Sequence, residues 1–115
     1  MLPTAALLLV GIGLAHSYLG ERYILGRLFR RDLPELFGSD VFTKRTLRFA
    51  WHLSTVAWWG FAALLTFQLG SAETSLRVIS ATFFVSAVVS LVGARGRHPS
   101  WVVFLVVAAL TWWAS

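Results

Sequence analysis

The sequence predicts an all-α integral membrane protein: four transmembrane helices in an antiparallel bundle, with an amphipathic interfacial helix between the first and the second. Three observations carry this. Hydrophobic residues fill 57% of the 115 positions and charged residues only 13%, at a mean hydropathy of +0.73, which is too little polar surface to coat a water-soluble globule. The charges are also gathered: none lies from Met1 to Gly20, Phe49 to Ala72, Val78 to Ala94 or His98 to Ser115. A bilayer core of ~30 Å needs roughly 20 helical residues, with about 17 as the lower end, so each run is long enough or nearly so. Finally, Lys and Arg are skewed. Arg22, Arg27, Arg30, Arg31, Lys44, Arg45 and Arg48 lie in or beside the first connection, Arg95 and Arg97 in the third, and Arg77 alone near the second. By the positive-inside rule the first and third connections are cytoplasmic. The expectation is a multi-pass protein of the bacterial inner-membrane type with both termini on the outer, periplasmic side.

Helix 1 is expected over about 2–20, with Pro3 in its first turn, where the missing N–H costs nothing, and Gly20 available to end it. No positive side chain precedes Arg22, so the first run reads as a retained helix rather than a cleaved signal, which opens on positive charge. The segment 23–37 sets Tyr23, Ile24, Leu28 and Phe29 among Arg22, Arg27, Arg30 and Arg31. Such mixing suits an amphipathic helix in the headgroup layer, interrupted before Pro34 because the residue preceding a proline is pushed out of the α region. Helix 2 is expected over about 41–69, with Ser39 or Asp40 as its cap and Gly70 and Ser71 closing it. Helix 3, over about 73–94, places Glu73 against the positive end of its dipole. Helix 4, over about 99–114, starts with Pro99 at its first position. Trp112 and Trp113 fall at the outer interface and Trp101 near the inner one, as an aromatic belt requires. Residues 1–115 make one domain.

The pI near 11.2 comes from basic residues that border the spans, which fits a lipid bilayer with anionic headgroups as partner and not nucleic acid. The absence of cysteine excludes disulfides, thiolate metal sites and iron–sulfur clusters within the chain. No Ser/His/acid arrangement stands in one local motif, so no nucleophile stands out and the reading leans away from an enzyme.

This threading puts all three histidines in one leaflet, with His16 near the inner end of helix 1, His52 on the inner half of helix 2 and His98 at the start of helix 4. Glu21, Arg45, Arg48, Arg95 and Arg97 fall at the same end. Ionisable residues at membrane depth are costly and normally turn to the bundle interior, which makes the cluster the candidate site. Helical spacing gives the faces: Gly13, His16 and Gly20 on helix 1; Arg45, Arg48, His52 and Thr55 on helix 2; Ser75, Ile79, Thr82, Ser86 and Ser90 on helix 3, leading to Gly93. Helix 4 has no polar side chain between Trp101 and Thr111 and is expected as an apolar wall. The candidate ligand-binding set is therefore His16, Glu21, Arg45, Arg48, His52, Ser90 and His98.

Several ligands suit that set. His16 and His52, if opposed at similar depth, would ligate a haem axially or hold a divalent metal with help from Glu21. Arg45 and Arg48 would then meet propionates or a phosphate. A quinone or a lipid headgroup would use the same residues with less exacting geometry. No His-x-x-x-His, His-Glu-x-x-His or Cys-x-x-Cys-His motif selects among them. The expected function is ligand binding, to a lipid headgroup, quinone, haem or metal, through this His/Arg/Glu cluster at the cytoplasmic leaflet. Two alternatives stand beside it. One is an accessory or scaffold subunit of a larger membrane complex or homo-oligomer; the other is a small proton-coupled transporter with Glu21, His16 and His52 as a relay. Each feature also has a plainer role: small and hydroxyl residues bring membrane helices together, arginines at helix ends anchor to headgroups, and His98 before Pro99 suits a cap.

Overall fold

The computed structural model describes residues 2–67 and 70–115, which form four helices and no strand. We name them α1 (Leu2–Leu28), α2 (Val41–Thr66), α3 (Ala72–Gly93) and α4 (Ser100–Trp113). Leu2–Leu28 and Ala72–Gly93 are long and apolar enough to cross a membrane. α2 matches them in length but carries Lys44, Arg45 and Arg48 in its first turns. α4 is apolar but has 14 residues, about 21 Å at ~1.5 Å per residue.

α1 departs furthest from expectation, because Gly20 does not end it and no separate helix forms over 23–37. The chain passes from α-helix (Leu2–Leu19) through a π-helical stretch (Gly20–Leu25) into a last α turn (Gly26–Leu28). A glycine stops a helix where the backbone turns left-handed. Here the flanking residues Leu19 and Gly26 stay right-handed, and Gly20 serves close packing instead, since a Cβ on it would collide with the Trp51 indole. Beyond Leu28 the chain is irregular apart from a tight turn at 36–39. There the Leu36 N–H donates to Ser39 O at 2.9 Å, and Phe37 and Gly38 have φ of +57° and +88°. Two left-handed central residues are the pattern of a type I′ turn, which glycine adopts freely and phenylalanine does not.

The helix starts show how local polar groups are used. Asp40 does not cap α2: its carboxylate accepts from the Leu33 N–H at 3.3 Å and pairs with Lys44 at 2.7 Å, tying the connection to the helix. Ser39 Oγ accepts the Val41 N–H at 3.4 Å. α2 closes with the Phe67 N–H on Ala63 O; the last turn expected for it, through Leu69, falls on Gln68 and Leu69, outside the described residues. Ser71 caps α3 by accepting from the Thr74 N–H at 3.3 Å, and Glu73 pairs with Arg77 one turn on at 2.5 Å.

The helices lie side by side in chain order, α1 on α2, α2 on α3, α3 on α4, within principal extents of 49 × 31 × 15 Å. In place of a closed bundle this is a single layer with α1 and α4 as its edges. The radius of gyration is 16.0 Å, against about 13 Å for a compact chain of this length. The exposed surface is 7741 Å², against about 6,300 Å² for a folded monomer of this mass.

Small residues make the seams. Gly13 and Gly20 of α1 receive Trp59 and Trp51 of α2; Gly60 of α2 meets Thr82 of α3, and Gly93 of α3 meets Phe49. The Ser80 hydroxyl of α3 donates to Ala108 O of α4 at 2.7 Å. The buried apolar residues are correspondingly small, Ala6, Ala62, Ala87, Ala94 and Ala108 beside Leu25 and Phe49, whereas Leu7, Leu8, Val92 and Leu110 are at least 65% exposed. Neighbouring helices run antiparallel, so the end of α1, the start of α2, the end of α3 and the start of α4 meet. We call this the basic end.

Candidate functional site

At the basic end of the α1–α2 seam, residue numbers rise along one helix as they fall along the other. Glu21 therefore faces Arg48 and His52, Ser17 faces His52 and Thr55, and Gly13 faces Thr55. His52 is the centre: Nε2 lies 2.8 Å from Glu21 Oε1, and Nδ1 lies 2.8 Å from Ser17 Oγ. The same Glu21 oxygen takes Arg48 Nε at 3.0 Å. Ser17 Oγ continues to Thr55 Oγ1 at 2.6 Å, and the Thr55 hydroxyl reaches Gly13 O at 3.3 Å. Glu21 is the second residue of the π-helical stretch, a widened turn that is frequent at functional sites.

His16 is turned to a different set of partners. Its Nε2 lies 3.2 Å from Trp51 O, and Trp51 Nε1–H donates to His16 O at 2.9 Å. The imidazole stacks on the Trp51 ring at 4.4 Å and 2° and lies 4.8 Å from that of Trp58. His16 and His52 thus share a seam without sharing a site. Both nitrogens of His52 have protein partners, and among the described residues no three His, Asp or Glu side chains lie together as a metal would require.

Ser17, His52 and Glu21 stand in the order nucleophile, base and orienting acid. Their surroundings do not suit acyl transfer: the backbone N–H groups around Ser17 are committed to the helical bonds of α1, leaving no oxyanion donor, and Ser17 Oγ is already held by Thr55. The array is a continuous line of side chains from Glu21 through His52 and Ser17 to Thr55, in which the imidazole and both hydroxyls can donate or accept a hydrogen bond.

A second constellation lies between α2 and α3, where Arg45, Arg48 and Arg95 line a cleft of about 540 Å³ together with Phe49, Val88 and Val92. The ion pairs of the described residues engage Lys44, Arg48 and Arg77, leaving Arg45 and Arg95 without an acid. Arg95 also sits at φ +50°. It occupies the left-handed position of a helix-ending motif in which Gly96 N–H donates to Leu91 O at 2.9 Å and Arg95 N–H to Val92 O at 3.3 Å. Glycine normally fills that position, and a residue with a Cβ costs about 1 kcal/mol there. A groove of about 500 Å³ between α3 and α4, lined by residues that include Phe84, Leu105 and Trp112, has no charged group in its lining.

Ser90 and His98 belong to neither constellation. The fully buried Ser90 hydroxyl pairs with that of Ser100. His98 Nδ1 accepts from the Ser100 N–H at 3.2 Å, which satisfies a free donor in the first turn of α4. The His98 ring packs on Phe42 at 5.9 Å and on the edge of Phe49 at 5.3 Å. The predicted set therefore divides: Glu21, His52 and Arg48 form one polar array on the α1–α2 seam, Arg45 and Arg48 line the cleft, Ser90 joins α3 to α4, His98 packs the start of α4 on α2, and His16 clamps α1 to α2. Ser17 and Arg95 were not in that set. Ser17 had a signal, since Gly13, Ser17 and Glu21 recur at steps of four on one face of α1. The threading places Arg95 at the same end of the molecule, but its approach to the cleft through a left-handed turn was not legible.

Compared with models of known protein families, with curated proteins and with solved structures, the chain matches none.

Proposed function

We propose that this is a small polytopic membrane protein that binds an anionic lipid at the basic end, with the headgroup phosphate on Arg45, Arg48 and Arg95. The cleft carries the reading: Arg45 and Arg95, which have no acid partner among the described residues, share one apolar-walled concavity with Arg48, which pairs with Glu21. Basic pockets between membrane helices on the cytoplasmic side are recognised sites for phosphate-bearing headgroups, and the exposed side chains of Val88 and Val92 offer an acyl chain a surface that a free phosphate would not use. The single layer with large apolar side chains outward supports embedding in a bilayer, as do the two long apolar helices. The same flatness favours a second reading, an accessory subunit whose open face packs on a partner, which crosslinking in native membranes followed by mass spectrometry would reveal.

The lipid reading is tested with the purified chain in phosphatidylcholine nanodiscs doped with phosphatidylglycerol, followed by native mass spectrometry of retained lipid. Phosphatidylglycerol should be preferred, and Arg45→Ala and Arg95→Ala should each weaken its retention by about tenfold, the scale of one charge-assisted contact. Inorganic phosphate should compete poorly; effective competition would point to a free anion as the ligand. Equal retention of phosphatidylcholine, or undiminished binding by the double variant, would remove the cleft as a lipid site.

A further inference from the structure

Arg48 belongs to both constellations. Its Nε pairs with Glu21 Oε1 at 3.0 Å, on the same oxygen that His52 Nε2 meets at 2.8 Å, while its side chain also lines the cleft with Arg45 and Arg95. The positive charge that compensates Glu21 is therefore one of the charges an anion would use. We propose that an anion entering the cleft brings a proton with it, held on the Glu21–His52 pair, so that binding at this site is proton-linked. This rests on the reading of the cleft as an anion site.

The linkage follows from charge. With the cleft empty, the Arg48 guanidinium and the Glu21 carboxyl group pair at 3.0 Å. A phosphate on Arg48 either draws the guanidinium away or cancels its field where it stands. In both cases Glu21 loses its compensation and gains a negative neighbour, and a nearby negative charge favours the protonated forms of carboxylate and imidazole alike. The charged groups facing His52 are Glu21 from α1 and, through Glu21, Arg48 of α2. Its other partner is the Ser17 hydroxyl. α3 meets α2 through Gly60 and Phe49 and adds no ion pair to His52 among the described residues.

The hydroxyl chain behind His52 accepts that proton without leaving a polar group unmatched. When the imidazole is neutral, Nε2–H donates to Glu21, Nδ1 accepts from the Ser17 hydroxyl, and the Ser17 oxygen accepts from Thr55. When the imidazole is protonated, Nδ1–H donates to Ser17, Ser17 donates to Thr55, and Thr55 donates to the Gly13 carbonyl 3.3 Å away. Every hydrogen has an acceptor in both polarities. Gly13 O has a second lone pair to offer beyond its helical bond.

The test measures phosphatidylglycerol binding to the full chain in phosphatidylcholine nanodiscs between about pH 5 and pH 8, the range in which histidine is the usual switch. The lipid's phosphodiester keeps its charge throughout, so a slope belongs to the protein. Affinity should rise as pH falls, by at least about threefold per pH unit and by about tenfold if one full proton accompanies each anion. Glu21→Gln should bind phosphatidylglycerol with a shallower pH profile, because His52 remains to take a proton, and Glu21→Gln combined with His52→Gln should bind it with a flat one. Calorimetry on the unmodified chain, in buffers of different ionisation enthalpy, reads proton uptake directly and needs no variant to fold. Intact binding with no proton uptake would overturn the linkage and leave the lipid site standing. No preference for phosphatidylglycerol at any pH would overturn the lipid site, and the linkage with it.

Discussion

His16 and Trp51 hold one another twice. The imidazole Nε2 of one helix reaches the backbone carbonyl of Trp51 at 3.2 Å, the indole N–H returns the bond to the carbonyl of His16 at 2.9 Å, and the two rings lie parallel 4.4 Å apart. Both carbonyls are already part of helical ladders, so the pair adds side-chain bonds between α1 and α2 without taking any from the backbone. This is a clamp set in an otherwise small-residue seam. It explains the glycine one turn away, because the Trp51 indole occupies the space a Gly20 side chain would need.

Trp51→Phe keeps an aromatic ring but loses the indole N–H and the pyrrole portion packed over Gly20, and should lower stability by at least about 1 kcal/mol, the usual net worth of one such bond. Gly20→Ala should cost more, about 1–3 kcal/mol, since the Cβ drives into the indole. Gly11, with nothing within 4 Å of its missing Cβ, is the control, and Gly11→Ala should raise stability by about 0.5–1 kcal/mol through helix propensity alone. Unfolding midpoints in detergent titrated with sodium dodecyl sulfate would rank the three variants.

The four helices were legible because charge-free runs separated by basic or glycine-rich turns leave little choice of boundary. The layer was not. Periodicity says that Gly13, His16 and Gly20 share a face, but it does not say which helix meets that face, and α1 meets only α2 closely. Glu21, His52 and Arg48 could be picked out as ionisable groups at one depth, and they do meet. His16 obeyed the same rule and meets aromatic rings and a carbonyl instead, because adjacent positions on a helix point about 100° apart. That difference of one position gives Ser17 the polar partners. The continuation of α1 past Gly20 was hidden because a glycine packed under an indole and a glycine at a helix end look alike in sequence.

Arg95 separates stability from binding. It holds a left-handed backbone conformation that glycine would take without strain. Arg95→Gly should therefore raise the unfolding midpoint by the equivalent of about 1 kcal/mol while reducing phosphatidylglycerol retention by about tenfold. A variant that is both less stable and equally retentive would show that the side chain supports the fold and not a ligand.

Asp40 gives the connection between α1 and α2 a dependence on acid. The hydrogen bond from Lys44 holds its carboxyl below the ordinary carboxylate range, and the bond from the Leu33 N–H acts in the same direction. A group whose folded value is depressed contributes stability that is present above its unfolded value, about pH 4, and is lost as pH falls through the folded one. Amide exchange at Leu33 should accordingly be slow at neutral pH, after allowance for the intrinsic pH dependence of exchange, and should lose protection below about pH 4. In Asp40→Asn the protection at Leu33 should show no step in that range.

The threading makes the firmest prediction about the molecule in its membrane. The antiparallel packing brings Arg22, Arg27, Lys44, Arg45, Arg48, Arg95 and Arg97 to one end of the layer and leaves Arg77, paired with Glu73 at 2.5 Å, at the other. On the proposed membrane reading, such an imbalance would orient the protein with its basic end in the cytoplasm, where anionic headgroups would be at hand for the cleft. Alkaline phosphatase fused after Ser115 or after Ser71 should be active, and fused after Pro34 or Gly96 inactive, because the enzyme works only when exported. The reverse pattern would put the arginine cleft in the outer leaflet. Activity at all four fusions would mean that the helices do not cross the membrane in alternation, and the apolar face of the layer would then need a protein partner to cover it.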